Sequence, residues 1–380
     1  MISRKKILKK IFKTVKSPVK KLRILIKSRL GWLGIPAIVA FRGYGNASEV
    51  IIKGMVTEDK GIQKPKPEQS NWENFLAMIK RFSGDEIPGV DVEVGFYGQQ
   101  QRVTTNEYGI FEARFDGIEI PQNKLSLLYE ARLIDEIVEE QPIIRAKGEV
   151  YFPGKNSKYA VVSDIDDTII VSHASKTIRK LRLMLVKNAM TRTAFPGVSE
   201  FYNALKEGHN QENNAFFYVS SSEWNLFDLL RDFFTFNDFP DGPLMLREMN
   251  VKGFKLIFSG KGKHEHKIDK IEHLLDFYPH LQFILIGDSG QKDPDIYSDI
   301  VKRFHDRIAV VYIRHIRAGL NEKKFLDLAN NLKKIGKDMI LVGSTTEAAR
   351  HAARFGYIKE KSLEEVGREK EKEESEQKNL

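Results

Sequence analysis

From residue 158 to about residue 357 the chain alternates short apolar runs with helical stretches, and few architectures accommodate that pattern. The runs are 159–162, 215–219, 281–286, 308–313 and 339–342. Strands alternating with helices predict an α/β fold built on a doubly wound parallel sheet. In an open sheet of that kind, ligands bind outside the carboxyl ends of the strands. The residues that close each run are therefore where chemistry is expected.

The first run closes on Val-Val-Ser-Asp-Ile-Asp-Asp-Thr-Ile-Ile, residues 161–170. Carboxylates beside an apolar run are costly unless a metal or a hydrogen-bonding network pairs with them. At period two, Asp164 and Asp166 emerge on one side of an extended segment, and Asp167 points away. Two acids and a hydroxyl, Thr168, suit a Mg²⁺-assisted attack on phosphate. Taken alone, the same residues also read as a chance acidic turn.

Three further polar sites follow in order. Ser220-Ser221-Ser222 follow the second run, Lys267 opens a helical stretch, and Gly287-Asp288 close the third run with Asp293 five residues on. A phosphomonoester dianion repels nucleophiles, so a cation such as Mg²⁺ and a lysine must neutralise it. An aspartate can attack phosphorus and divide hydrolysis into two steps. A second acid can protonate the leaving oxygen and then deprotonate water. Distant carboxylates complete an oxygen-rich Mg²⁺ site, while a serine hydroxyl and backbone N–H groups hold phosphoryl oxygens. His264 and His266 lack a third nitrogen or sulfur ligand and read as loop or substrate-facing residues. The stretch containing Trp224, Phe227, Phe233, Phe234, Phe236 and Phe239 reads as core, with a wall for acyl chains as the alternative.

The order D-x-D-x-T, strand-Ser, Lys, G-D-x-x-x-x-D resembles the haloacid dehalogenase superfamily of phosphatases. More narrowly, residues 161–170, 218–226, 266–267 and 287–294 are similar to the phosphatidate phosphatase catalytic domain of the fungal actin-patch protein and its bacterial relatives. The resemblance spans roughly residues 158–357, and Gly-Asp-Ser-Gly-Gln-Lys-Asp-Pro is its most distinctive segment. It implies Asp164 as nucleophile and Asp166 as general acid/base. Ser220, with Ser221 or Ser222 as substitutes, and Lys267 would bind and neutralise the phosphoryl group, while Thr168 would order the phosphate loop. Mg²⁺ would be held by the Asp164 carboxylate, the Asp166 backbone carbonyl and Asp288, with Asp293 a direct or water-mediated ligand.

Charge separates the remaining segments. Residues 1–48 hold thirteen Lys or Arg and no acid, so removing that +13 from the chain's +9 leaves residues 49–380 at −4. Within residues 1–33, Leu8, Ile11, Phe12, Val15, Val19, Leu22 and Ile26 recur at helical spacing opposite a basic face, with Ser17-Pro18 dividing two helices. That pattern suits an anionic membrane surface; packing on the protein or binding nucleic acid are the alternatives, the last least favoured. Residues 34–157 read as a small antiparallel β-sandwich with a helical insert at 71–81, serving as scaffold or docking module. Residues 158–357 would be the catalytic domain, and Glu- and Lys-rich 358–380 a solvated or disordered tail.

No run reaches the roughly 18 apolar residues of a membrane span, no signal peptide is evident, and cysteine is absent, which excludes disulfides. The expected location is cytoplasmic, peripheral to the inner face of the membrane. The insert of about 25 residues between Ile170 and Phe195 carries Arg179, Lys180, Arg182, Lys187 and Arg192, and is too short for a large cap. An open site and a basic arm favour phosphatidate or a related anionic lipid as substrate. A phosphoprotein or nucleic-acid end, and a non-catalytic membrane adaptor with a vestigial phosphatase fold, are the competing readings.

Overall fold

The computed structural model describes residues 4–15, 26–27, 34–59, 85–120, 124–165, 168–169, 195–247, 265–316 and 321–378. Expectations for Ser17-Pro18, the helical insert at 71–81, Asp166, the 171–194 insert and His264 lie outside them. The chain divides into two compact units, one ending its main run at Phe152 and the other beginning at Pro153.

The first unit holds helix α1 (Arg4–Thr14) and eight strands: β1 (Pro36–Ala40), β2 (Gly43–Gly45), β3 (Glu49–Glu58), β4 (Asp91–Phe96), β5 (Gln99–Thr104), β6 (Ile110–Asp116), β7 (Ser126–Leu133) and β8 (Arg145–Tyr151). They form one sheet in the order β1-β3-β2-β8-β7-β4-β5, with β6 also on β3. Every pairing is antiparallel except β2 with β8. Val92, Val94 and Phe96 alternate inward along β4. Tyr97 and Gly98 then reverse the chain into β5, both at positive φ (46° and 81°), as a two-residue hairpin that follows strand twist requires.

Helix α1 corrects the reading of the basic arm. Ile7, Ile11 and Val15 are buried, the first two within the sheet's own core cluster. Lys10 pairs with Asp91 and lies 3.6 Å from Asp135. Each such buried Ile or Val contributes about 1.5–3 kcal/mol, so a bilayer would have to pull the helix off its sheet to receive that face. Lys6, Lys9 and Lys13 remain exposed.

The second unit is a six-stranded, wholly parallel sheet in the order β11-β10-β9-β12-β13-β14. Its strands are β9 (Tyr159–Asp164), β10 (Ala215–Glu223), β11 (Leu244–Arg247), β12 (Gln282–Asp288), β13 (Ile308–Arg314) and β14 (Met339–Val342). Between and after them come α2 (Val198–Glu207), α3 (Phe227–Phe236), α4 (Glu265–Phe277), α5 (Asp293–Arg303), α6 (Glu322–Lys333), α7 (Thr345–Arg354) and α8 (Glu360–Lys378). The aromatic-rich stretch is largely core: Trp224, Phe227, Phe233, Phe234 and Phe239 are buried, and Phe236 is exposed.

These observations overturn the expected fold class. A doubly wound, haloacid-dehalogenase-like parallel fold preceded by a small antiparallel sandwich does not describe this chain. It is strand-rich: a mixed eight-stranded sheet, larger than the parallel one, stands as a unit of its own, and the helices are scattered. Periodicity misses this because β2 (Gly-Tyr-Gly) and β5 (Gln-Gln-Gln-Arg-Val-Thr) owe their state to pairing rather than to apolar alternation. Nor is the C-terminal stretch a loose tail. It forms α8, which packs on α2 and α7, buries Ser362 and Val366, and accepts the Gly197 N–H at Glu373 (2.7 Å).

Candidate active site

Strand ends and helix starts of the parallel sheet bring four charged side chains together. Asp164 ends β9, Asp288 ends β12, Asp293 opens α5 and Lys267 lies in the first turn of α4. All four are buried, at 1%, 0%, 1% and 5% exposure. One carboxylate oxygen from each aspartate lies within 4.8 Å of the other two. Lys267 Nζ sits 2.9 Å from Asp164 Oδ1 and 2.5 Å from Asp293 Oδ1. Burial would lower the Lys267 pKa, but the charges of Asp164 and Asp293 outweigh it and hold the group above the ordinary lysine value.

Local sequence explains how these acids are held. Asp288 Oδ1 accepts the N–H groups of Gly290 (2.7 Å) and Gln291 (2.9 Å), and Asp293 Oδ2 accepts the Asp288 N–H (3.2 Å). Gly287 is obligatory, since a Cβ there would meet Asp293 Oδ2 at 2.5 Å and the Tyr297 ring at 2.8 Å. Behind the acids, Tyr297 donates to the Ile286 carbonyl (3.1 Å), and Ser163 Oγ lies 2.7 Å from the Tyr202 hydroxyl. Burial pushes both phenol pKa values up, so both are neutral hydrogen-bonding groups at physiological pH.

The expected phosphate-binding residues surround this cluster. Thr168 is buried, with Oγ1 donating to Asp164 Oδ2 at 3.5 Å. Val219 is the register partner of Asp164, so Ser220 lies one residue beyond it on the neighbouring strand. The Ser220 hydroxyl accepts the Ser222 N–H at 2.8 Å, and Ser221 is half-buried. Asp166 lies outside the described residues, and half-buried His266 precedes Lys267.

Two residues went unremarked in the sequence. Lys270 Nζ donates to the carbonyls of Ser220 (3.3 Å) and Met245 (2.8 Å), tying β10 to β11. Its spacing of three from Lys267 on one helix face was the available signal. Arg314 ends β13 as the register partner of Asp288, and a single arginine closing a strand carries no signal.

Residues 159–315 match the family described as phosphatidate phosphatase APP1, catalytic domain. This segment is an APP1-type catalytic domain. The phosphatidate phosphatase APP1 of Saccharomyces cerevisiae is 32% identical over 154 residues, covering 40% of this chain and 25% of the yeast protein. An uncharacterized protein of Schizosaccharomyces pombe is 26% identical over 254 residues, covering 64% of this chain and 40% of its own length. The chain therefore matches well under half the length of either relative. Among solved structures, a carbohydrate acetylesterase from Xanthomonas citri covers 85% of this chain and 76% of its own at 9% identity. Its TM-score of 0.32 is too low to carry an argument.

The donor set fits a hard divalent cation: the ligand atoms are all carboxylate oxygens, and three carboxylates with one ammonium leave a net charge of −2. Among the described residues this is the group of acids with that arrangement. No described helix is long and apolar enough to cross a membrane.

Proposed function

We propose that the protein is a Mg²⁺-dependent phosphatidate phosphatase, releasing diacylglycerol and phosphate. The observation that carries this reading is the buried cluster of Asp164, Asp288 and Asp293 around Lys267 at the carboxyl edge of the parallel sheet. The likeness of residues 159–315 to the APP1 catalytic domain supports the lipid substrate.

In this reading Asp164 attacks phosphorus, the phosphorus–alkoxide bond breaks, and Asp166 protonates the departing diacylglycerol oxygen. Asp166 then takes a proton from water, whose oxygen cleaves the aspartyl-phosphate to return Asp164 and free phosphate. Asp164, Asp288 and Asp293, with the Asp166 carbonyl, would hold Mg²⁺, which when bound would supply neutralising charge at the phosphoryl oxygens. Lys267 neutralises the acids and the incoming dianion, and Ser220, Ser221 and Thr168 supply hydroxyls around it. The protein works at the inner face of the membrane, drawn electrostatically by exposed Lys6, Lys9 and Lys13 without inserting α1.

The test is phosphate release across lipid and soluble phosphoesters with Mg²⁺, using Asp164→Asn as the blank. Phosphatidate in mixed micelles should be hydrolysed and the variant inert. Hydrolysis of soluble esters alone would refute the lipid assignment, and activity in the variant would refute the mechanism.

A further inference from the structure

Arg314 lies at the strand end beside the acid cluster, and among the described residues no acid pairs with it. It closes β13 opposite Asp288, so both side chains leave the same face of the sheet at its carboxyl edge. Its guanidinium carbon lies 3.2 Å from the centre of the Phe195 ring. Phe195 is itself fixed by its N–H to the Ile169 carbonyl (3.2 Å), next to Thr168. Among the described residues no carboxylate, hydroxyl or carbonyl accepts from the guanidinium. Its other electrostatic neighbour is Tyr202, and burial lowers its pKa to about 10. A half-buried arginine without an acid is costly, and five N–H donors in a planar fork match phosphate oxygens.

The charge count of the site points the same way. Lys267 is shared between Asp164 and Asp293. With the three acids the cluster stands at −2, so a divalent ion brings it to zero. A phosphomonoester then adds about −1.5 to −2, which the net charge of the cluster and its ion leaves unbalanced. We propose that Arg314 is the substrate-binding cation of this site, stacked on Phe195 so that its guanidinium receives phosphoryl oxygens of the bound monoester and of the phosphate product. The assignment rests on the phosphatase reading for its substrate, but the phosphoryl group it binds is measurable without turnover.

Orthophosphate binding to the full-length protein with Mg²⁺, followed by calorimetry, tests it in wild type, R314Q and R314K. Losing a charge-assisted bidentate pair should weaken orthophosphate binding roughly 10–100-fold in R314Q. R314K should fall between, because a point charge replaces the fork. If phosphatidate is hydrolysed, its KM should rise in R314Q by more than kcat falls. Orthophosphate bound by folded R314Q as tightly as by wild type overturns the proposal, as does wild type that takes up none. Should R314Q not fold, unchanged affinity in R314K overturns it. Wild type that binds orthophosphate through Arg314 yet hydrolyses no phosphatidate would sink the lipid reading and leave this one standing.

Discussion

Replacing Lys267 with Met tests the electrostatics on which the site depends. Methionine keeps much of the aliphatic stem and removes the charge, leaving three buried carboxylates, with ligand atoms within 4.8 Å, and no internal cation. Removing one partner of a buried ion pair costs about 3–5 kcal/mol. Like charges about 4 Å apart repel by about 4 kcal/mol at an effective dielectric of 20, so both routes give one magnitude. The raised Lys267 pKa fixes the sign with pH. Its stabilisation is complete below the unfolded-state value of 10.5 and is lost only as pH rises through the higher folded value. Wild type therefore has it in full near pH 7. In K267M the uncompensated acids favour protonation, so stability should recover as pH falls toward 5, and Mg²⁺ should restore it near pH 7. Urea unfolding in chelator, followed by Trp224 fluorescence with Trp32 and Trp72 replaced by Phe, reads the effect. A loss under about 1 kcal/mol, indifferent to pH and Mg²⁺, would refute the reasoning.

Asp288→Asn should leave metal-free stability within about 1 kcal/mol, because the amide oxygen still accepts from Gly290 and Gln291; Mg²⁺ affinity by calorimetry should drop at least about tenfold. Gly287→Ala forces a Cβ against Asp293 Oδ2 and Tyr297, and should cost about 1–3 kcal/mol in urea unfolding and most of the activity. Changing exposed Lys6, Lys9 and Lys13 to Gln should weaken binding to phosphatidylserine vesicles by up to about 1 kcal/mol per charge, with an unchanged melting temperature. Unchanged vesicle binding would remove the electrostatic address. Burial lowers the His351 pKa below 6.5, so its stabilisation is present above 6.5 and is lost as pH falls through the lower folded value. A thermal-melt series on His351→Gln should show a shallower acid decline below pH 6.5 than wild type.

The acid cluster was readable because its members sit where chain pattern changes. Asp164 and Asp288 close apolar runs, and Lys267 and Asp293 open helices, so order along the chain translates into position along one sheet edge. Arg314 also closes a run, yet it stacks on a ring 119 positions earlier in the sequence, a contact that no local pattern encodes. The α1 stripe shows a different limit. Ile11 and Val15 at helical spacing give the same pattern whether the apolar partner is lipid or protein, and the sheet core, which also buries Ile7, supplies the partner here. Helix α8 failed the opposite way, since a largely polar sequence docks through few residues, Val366 and Ser362 among them. The fold class was misjudged for a third reason: strands such as β2 and β5 are made by their neighbours, and composition does not count neighbours.

Lys267 shows why burying a cation among acids need not block the site for substrate. An ammonium has three N–H donors, and Asp164 and Asp293 engage two of them. Among the described residues the third has no partner, so in the proposed reaction the lysine would not need to abandon the acids to meet the dianion. Asp288 and Asp293 are held by backbone N–H groups of their own loop, and the site therefore reorganises little as charge arrives, the condition under which electrostatic stabilisation is most effective. Preorganisation also explains the placement of the remaining cation. A second cation inside the cluster would take up the acids' remaining oxygens, whereas Arg314, stacked on Phe195, would in its proposed role keep its donors for the ligand.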